Sequence, residues 1–165
     1  MESRLKLLGH PIHPMLIVFP LGLLATAVIF DVLYVATRNA DLATFSFWAL
    51  IAGIVGGLLA AVFGLLDWMA IPKDTRARRV GAIHGVGNVV VVGLFALSLF
   101  TRWSTPAYLP DILPLIFAVL GAALALFTAW LGGELVYRLR VAVDDDASLN
   151  ASNSISREGI AEVRT

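Results

Sequence analysis

The sequence predicts an all-α fold, a polytopic membrane protein built as an antiparallel four-transmembrane-helix bundle, on three observations. Of its 165 residues 59% are hydrophobic and only 15% charged, with a mean hydropathy of +0.86. A soluble domain runs at roughly 45–50% apolar and about 25% charged. Four apolar stretches each reach the ~20 residues that a hydrocarbon core about 30 Å thick demands of a helix. Short polar connections separate them, so consecutive helices are antiparallel neighbours.

The spans follow in order. Span one runs about Pro14–Thr37, span two about Leu42–Trp68, span three about Val80–Trp103 and span four about Ile112–Tyr137. Helices are the expected form because an unpaired backbone group in lipid costs several kcal/mol. Residues 1–143 therefore form one transmembrane domain. From Asp144-Asp145-Asp146 onward the text turns Ser- and Asn-rich without apolar period, and residues 144–165 read as a disordered cytoplasmic tail. Pro20 lies inside span one, where its missing N–H and its ring predict a kink.

Lysines and arginines set the direction. Arg4 and Lys6 precede span one; Lys73, Arg76, Arg78 and Arg79 lie between spans two and three; Arg138, Arg140, Arg157 and Arg164 follow span four. The other two connections hold only Arg38 and Arg102. Both termini and the middle connection are thus expected on the cytoplasmic side of the cell membrane, with the lipid bilayer as the main partner. A rival reading takes Arg4, Lys6 and the first apolar run as a signal peptide cut near Ala25-Thr26-Ala27. The run continues well past Ala27, which favours a span.

Composition also excludes. The formal net charge is zero and there is no cysteine. No overall basic field points to nucleic acid, and disulfides, thiolate zinc sites and cysteine-held clusters are ruled out within the chain. No nucleophile elbow, phosphate-binding glycine loop or HExxH helix is present. An enzyme acting on its own has little support.

Small residues recur where helices must touch. Span two carries Gly53, Gly57, Ala60 and Gly64, and span four Gly121, Ala125, Thr128 and Gly132 in the same rhythm. These stripes let backbones approach, or leave room for a flat cofactor. A bundle of four helices is thin, and a homodimer is compatible with it.

Ionisable side chains within a span are costly, about 2.5–3.5 kcal/mol at its centre on insertion scales, and so point to function or tight pairing. His10, His13 and His84, with Asp67 and Glu134, all fall at the inner ends, and Asn88 lies one turn beyond His84. Pro14 suits the first helical position, and Pro11 and Pro14 hold His10 and His13 on an extended approach to span one. Imidazole and carboxylate together suit a divalent metal, and two histidines on facing helices suit a haem b iron. His13, His84, His10, Glu134 and Asp67 are the candidate ligands, with Asn88 behind them. Bland readings stand beside these: His84 hydrogen-bonded to a backbone group or Glu134, Asp67 paired with Lys73 or Arg76, Glu134 with Arg138. Asp31, about 27 Å along the helix from His13, sits at the outer boundary, where Arg102 can pair with it.

The motifs carry a resemblance. Gly9-His10-Pro11-Ile12-His13-Pro14-Met15-Leu16 followed by Phe19-Pro20-Leu21-Gly22 is similar to the start of the bacterial membrane family called domain of unknown function 2231. Gly64-Leu65-Leu66-Asp67-Trp68, the run from Thr75-Arg76-Ala77-Arg78-Arg79 to His84-Gly85, and Trp130-Leu131-Gly132-Gly133-Glu134-Leu135-Val136-Tyr137 resemble it too, over about residues 8–145. The resemblance implies four spans and no established activity. Some relatives are joined to Rieske-type domains, which implies a redox setting. Many have a histidine where this chain has Val18, and another where it has Leu139.

Three readings follow. One is a His-ligated haem- or metal-binding electron-transfer module with a redox partner protein. Another is a non-catalytic accessory membrane protein whose helix-end polar residues brace the bundle. The last is a small ion or proton transporter using Asp31.

Overall fold

A computed structural model describes residues 1–155; the tail expectation for 156–165 lies outside the described residues. The chain opens with a short antiparallel pair, β1 (Lys6–Leu7) and β2 (His10–Pro11), in register Lys6↔Pro11 and Leu7↔His10. Leu8 and Gly9 turn between them with φ of 52° and 84°. Two successive positive φ values give the mirror-image turn that suits a two-residue hairpin, and Gly9 takes its share without a Cβ penalty. This hairpin was not anticipated from the sequence, because two-residue strands leave no periodicity.

Four helices long and apolar enough to cross a membrane follow: Ile12–Thr37, Ala40–Ala70, Arg76–Arg102 and Ile112–Arg138. The first is divided into α1 (Ile12–Leu16) and α2 (Val18–Thr37) at Ile17. The interruption sits three residues before Pro20, whose missing N–H deprives the Leu16 carbonyl of its intrahelical donor. The bonds from Ile17 N to His13 O (3.2 Å) and from Leu21 N to Ile17 O (3.1 Å) carry the chain across. The helix begins at Ile12, so Pro14 occupies its third position, not its first, and His13 is helical where an extended approach was expected. A proline there is tolerated because none of the first four N–H groups has an intrahelical partner.

The other helices are capped from the sequence. α3 (Ala40–Ala70) begins where the Asn39 side chain accepts from Asp41 N at 3.0 Å. α4 (Arg76–Arg102) begins where Thr75 Oγ1 accepts from Arg78 N at 3.1 Å, each satisfying one of the orphan donors of a helix start. α5 (Ile112–Gly133) ends in one wider turn, Glu134–Arg138. At 1.5 Å per residue the 31-residue α3 is about 46 Å long, more than the hydrocarbon core requires. Helix therefore starts two to four residues before the hydropathy limits of spans one to three: polar first turns such as Arg76–Arg79 are helical without being apolar.

The helices form two hairpins, α1/α2 with α3 and α4 with α5, joined chiefly through α3 and α4. Between them Leu24, Ala27, Phe47, Leu50, Val91, Phe95, Leu99 and Ala118 make a buried cluster. Phe47 stacks on Tyr108 of the α4–α5 connection at 3.8 Å between centroids. The rest of the apolar surface points outward: Leu21, Ile29, Val55, Leu58, Val62, Val89, Phe100, Val119 and Leu126 are all exposed. Such a girdle suits lipid as its solvent.

Candidate functional site

The basal end of the bundle carries the N-terminus, the 71–75 connection and residues 139–155. It holds every histidine. His13, on the first turn of α1, places Nδ1 2.9 Å from the Ala60 carbonyl of α3. A turn later on α3, Gly64 leaves the space that the imidazole fills; a Cβ there would lie 2.8 Å from His13 Cε1. His84, on α4, places Nδ1 2.9 Å from the Thr128 carbonyl of α5, and a Cβ on Gly132 would lie 3.3 Å from its Cε1. In both cases a carbonyl oxygen only accepts, so Nδ1 is the donor, and in the corresponding neutral tautomer Nε2 keeps its lone pair.

Asn88 Nδ2 lies 3.2 Å from His84 Nε2 and 2.9 Å from the His84 carbonyl. Its Oδ1 accepts from Thr128 Oγ1 at 3.1 Å, which closes a small network between α4 and α5.

The remaining candidates are brought to the same end but are spent separately. Asp67 accepts from Ser3 Oγ at 2.5 Å, a buried contact between residues 64 apart, and not from Lys73 or Arg76. Glu134 pairs with Arg76 Nη2 at 2.6 Å, not with Arg138 or His84. His10 lies on the exposed β-hairpin with Nε2 3.3 Å from Ser154 Oγ. Among the described residues no three of His, Asp and Glu group in a way that holds a metal ion.

Two contributors escaped the sequence reading. Ser3 lies outside every periodic segment. Arg78 looked like one more basic flank, yet its guanidinium donates to the carbonyls of Trp68, Met69 and Ile71 (2.8–3.0 Å) and sits 4.0 Å over the Trp68 ring. It thereby caps α3 with a cation where the helix dipole is negative. The available clue is Thr75, a residue type suited to cap a helix that begins at Arg76.

Beyond the membrane-spanning helices, Lys6 bonds Asp144 at 2.6 Å and Glu2 at 2.8 Å. Partial burial lowers its pKa, but the hydrogen bonds and charges of Asp144 and Glu2 outweigh that and raise it above the ordinary 10.5. This clasp is therefore complete at neutral pH. It loses its cation only when pH rises past the raised value.

At the far end of the bundle lies the most deeply buried charge. Arg102 of α4 and Asp31 of α2 are 0% and 1% exposed. The guanidinium meets both carboxylate oxygens, at 2.8 and 2.7 Å. It also donates to Ser46 Oγ (3.3 Å), Ser98 Oγ (2.9 Å) and the Ser98 carbonyl (3.3 Å). That occupies all five N–H donors of the arginine. Asp31 is held by two of them, which leaves it poorly placed to relay ions.

A family of predicted membrane proteins, DUF2231, matches residues 9–145. The chain belongs to DUF2231. No curated protein and no solved structure matches it. The DUF2231 region takes in both histidine contacts, Asp67, Glu134 and the Asp31–Arg102 pair, while Ser3 and Ser154 fall outside it. A DUF2231 chain with four long apolar helices is a multi-pass membrane protein.

Proposed function

We propose that this protein is a multi-pass component of the cytoplasmic membrane, with its termini and the 71–75 connection inside. In this reading it carries a haem- or divalent-metal-binding electron-transfer centre at the inner leaflet and is not an enzyme on its own. The observation that carries the proposal is the matched setting of His13 and His84. Each imidazole gives its Nδ1 proton to a backbone carbonyl of the neighbouring helix. A ligating histidine is oriented in the same way, its second nitrogen held by a carbonyl or carboxylate. Asp67 and Glu134 stand nearby but already accept from Ser3 and Arg76, which makes them supporting groups and not ligands. A redox partner protein would meet the basal surface, where Lys73 and Arg79 line a shallow concavity.

The same contacts favour a second reading, a non-catalytic accessory protein. Asp67, Glu134 and Arg78 are all satisfied within the chain, and each ties one helix end to another segment. Detergent-purified protein decides between the two. The first reading expects a Soret band, or a stoichiometric metal without one, and its loss in His13→Ala or His84→Ala. A colourless, metal-free preparation supports the accessory reading.

Orientation is checked separately, and the absence of native cysteine makes the assay clean. Lys73→Cys is expected to react with an impermeant maleimide only after cells are permeabilised, and Ser104→Cys in intact cells. The reverse pattern would place the histidines at the outer leaflet.

A further inference from the structure

One cleft at the basal end joins a cation to an apolar wall. It measures about 220 Å³ and is lined by Arg4 and Leu5 of the N-terminal segment and by Leu66, Met69 and Ala70 of α3. The chain is held on both sides of Arg4. Ser3 is 5% exposed and its hydroxyl donates to Asp67 of α3, while the Leu5 carbonyl accepts from Ile12 N at 3.1 Å. Arg4 itself is exposed, and among the described residues its guanidinium meets no acceptor of the chain. Its basic neighbours are engaged: Lys6 with Asp144 and Glu2, Arg76 with Glu134, Arg78 with three carbonyls. Among the described residues no carboxylate lines the cleft to offset the Arg4 charge.

Two further observations set the depth of the cleft. On α3, Leu58, Val62, Leu65, Leu66 and Met69 are exposed at helical spacing, an apolar stripe that runs into it. Trp68 lies between its lining residues Leu66 and Met69 in the chain, and Tyr137, 86% exposed, stands at the same end of the bundle. Trp and Tyr are the side chains that collect at headgroup level. The apolar wall therefore belongs to the hydrocarbon and Arg4 to the phosphate layer. The concavity at Lys73 and Arg79 differs: Asp74, Thr75 and Arg78 complete its lining, and it has no apolar wall. A bare excess of positive charge on this side accounts for an arginine at the surface, but not for its place over an apolar cleft between two anchored segments.

We infer that this cleft binds one anionic phospholipid, with its headgroup phosphate on the Arg4 guanidinium and an acyl chain along Leu66 and Met69. A planar guanidinium presents paired N–H donors that match phosphate oxygens. Because the backbone around Arg4 is already fixed, less freedom is lost on binding. A soluble anion gains nothing from the apolar wall, and a zwitterionic headgroup brings its own cation to the phosphate. The inference needs only the membrane setting, not a haem or metal centre.

Native mass spectrometry of the full-length protein in a neutral detergent tests it, with dioleoyl phosphatidylglycerol and dioleoyl phosphatidylcholine as competing probes. One phosphatidylglycerol per chain is expected to be retained in preference to phosphatidylcholine. Arg4→Gln should weaken its binding about fivefold and leave the melting temperature of the lipid-free protein unchanged. Arg38→Gln, at the opposite end of the bundle, should bind as the wild type does. Glycerol phosphate, a headgroup without chains, should not displace the lipid. Equal retention of the two lipids, displacement by glycerol phosphate, or equal losses in Arg4→Gln and Arg38→Gln overturns the site. So does a loss confined to Lys73→Gln or Arg79→Gln, which places the lipid in the polar concavity instead.

Discussion

Arg102→Met is expected to be the most damaging single change, lowering stability by about 3–5 kcal/mol, as for removal of one partner from a buried ion pair. The reason lies in what it leaves behind. Asp31 is 1% exposed, and among the described residues both of its carboxylate oxygens pair only with Arg102. Without the guanidinium the carboxylate must stay charged in a low-dielectric interior or take up a proton, and Ser46 and Ser98 lose a shared donor. Removing both charges in Asp31→Leu/Arg102→Met takes away the attraction and the desolvation penalty together. Such replacements are often neutral or stabilising, so the double variant should recover most of the loss. Thermal unfolding in detergent, run as a double-mutant cycle, measures this. A double variant as unstable as Arg102→Met alone would mean that the pair is not what holds the two hairpins together.

That ion pair also shows what the sequence makes legible. Hydropathy and connector length locate the four spans because lipid leaves the backbone no other solution than the helix. The same economy points to Asp31 and Arg102: two charges at one depth in otherwise apolar text need each other. The basal end was harder to read. His13, His84, Asp67 and Glu134 converge there as the span ends predict, but depth along the bilayer does not specify azimuth around each helix. Asp67 therefore turns to Ser3, 64 residues away, and Glu134 to Arg76 on the neighbouring α4, rather than to a common centre. Ser3 had no periodic neighbour to place it, and a two-residue hairpin is too short to leave a pattern. Matching small-residue rhythms on spans two and four are visible in the sequence, but only the structure shows that Gly53 and Gly121 face Leu24 and Phe95 and that Gly64 and Gly132 lie against the two histidines.

The glycines under the imidazoles give the second large effect, and they separate the two histidines. Replacing Gly by Ala inside a helix gains up to about 1 kcal/mol of propensity, so the sign depends on the space available. At Gly64 the added Cβ would lie 2.8 Å from His13 Cε1 and 3.0 Å from Nδ1. The ring must leave the Ala60 carbonyl, and overpacking of this kind typically costs about 1–3 kcal/mol, which outweighs the propensity. At Gly132 the nearest atom is His84 Cε1 at 3.3 Å, and a shift of a few tenths of an ångström relieves the contact. Gly64→Ala should therefore lower the melting temperature in detergent, and Gly132→Ala should leave it near the wild type. Nitrogen-15 histidine spectra add a readout that stability alone cannot give. The wild type should show the Nδ1-protonated tautomer at both His13 and His84, and Gly64→Ala should disturb His13 and spare His84. Equal effects of the two substitutions on melting and on both rings would mean that the glycines merely let helices approach and do not seat the imidazoles.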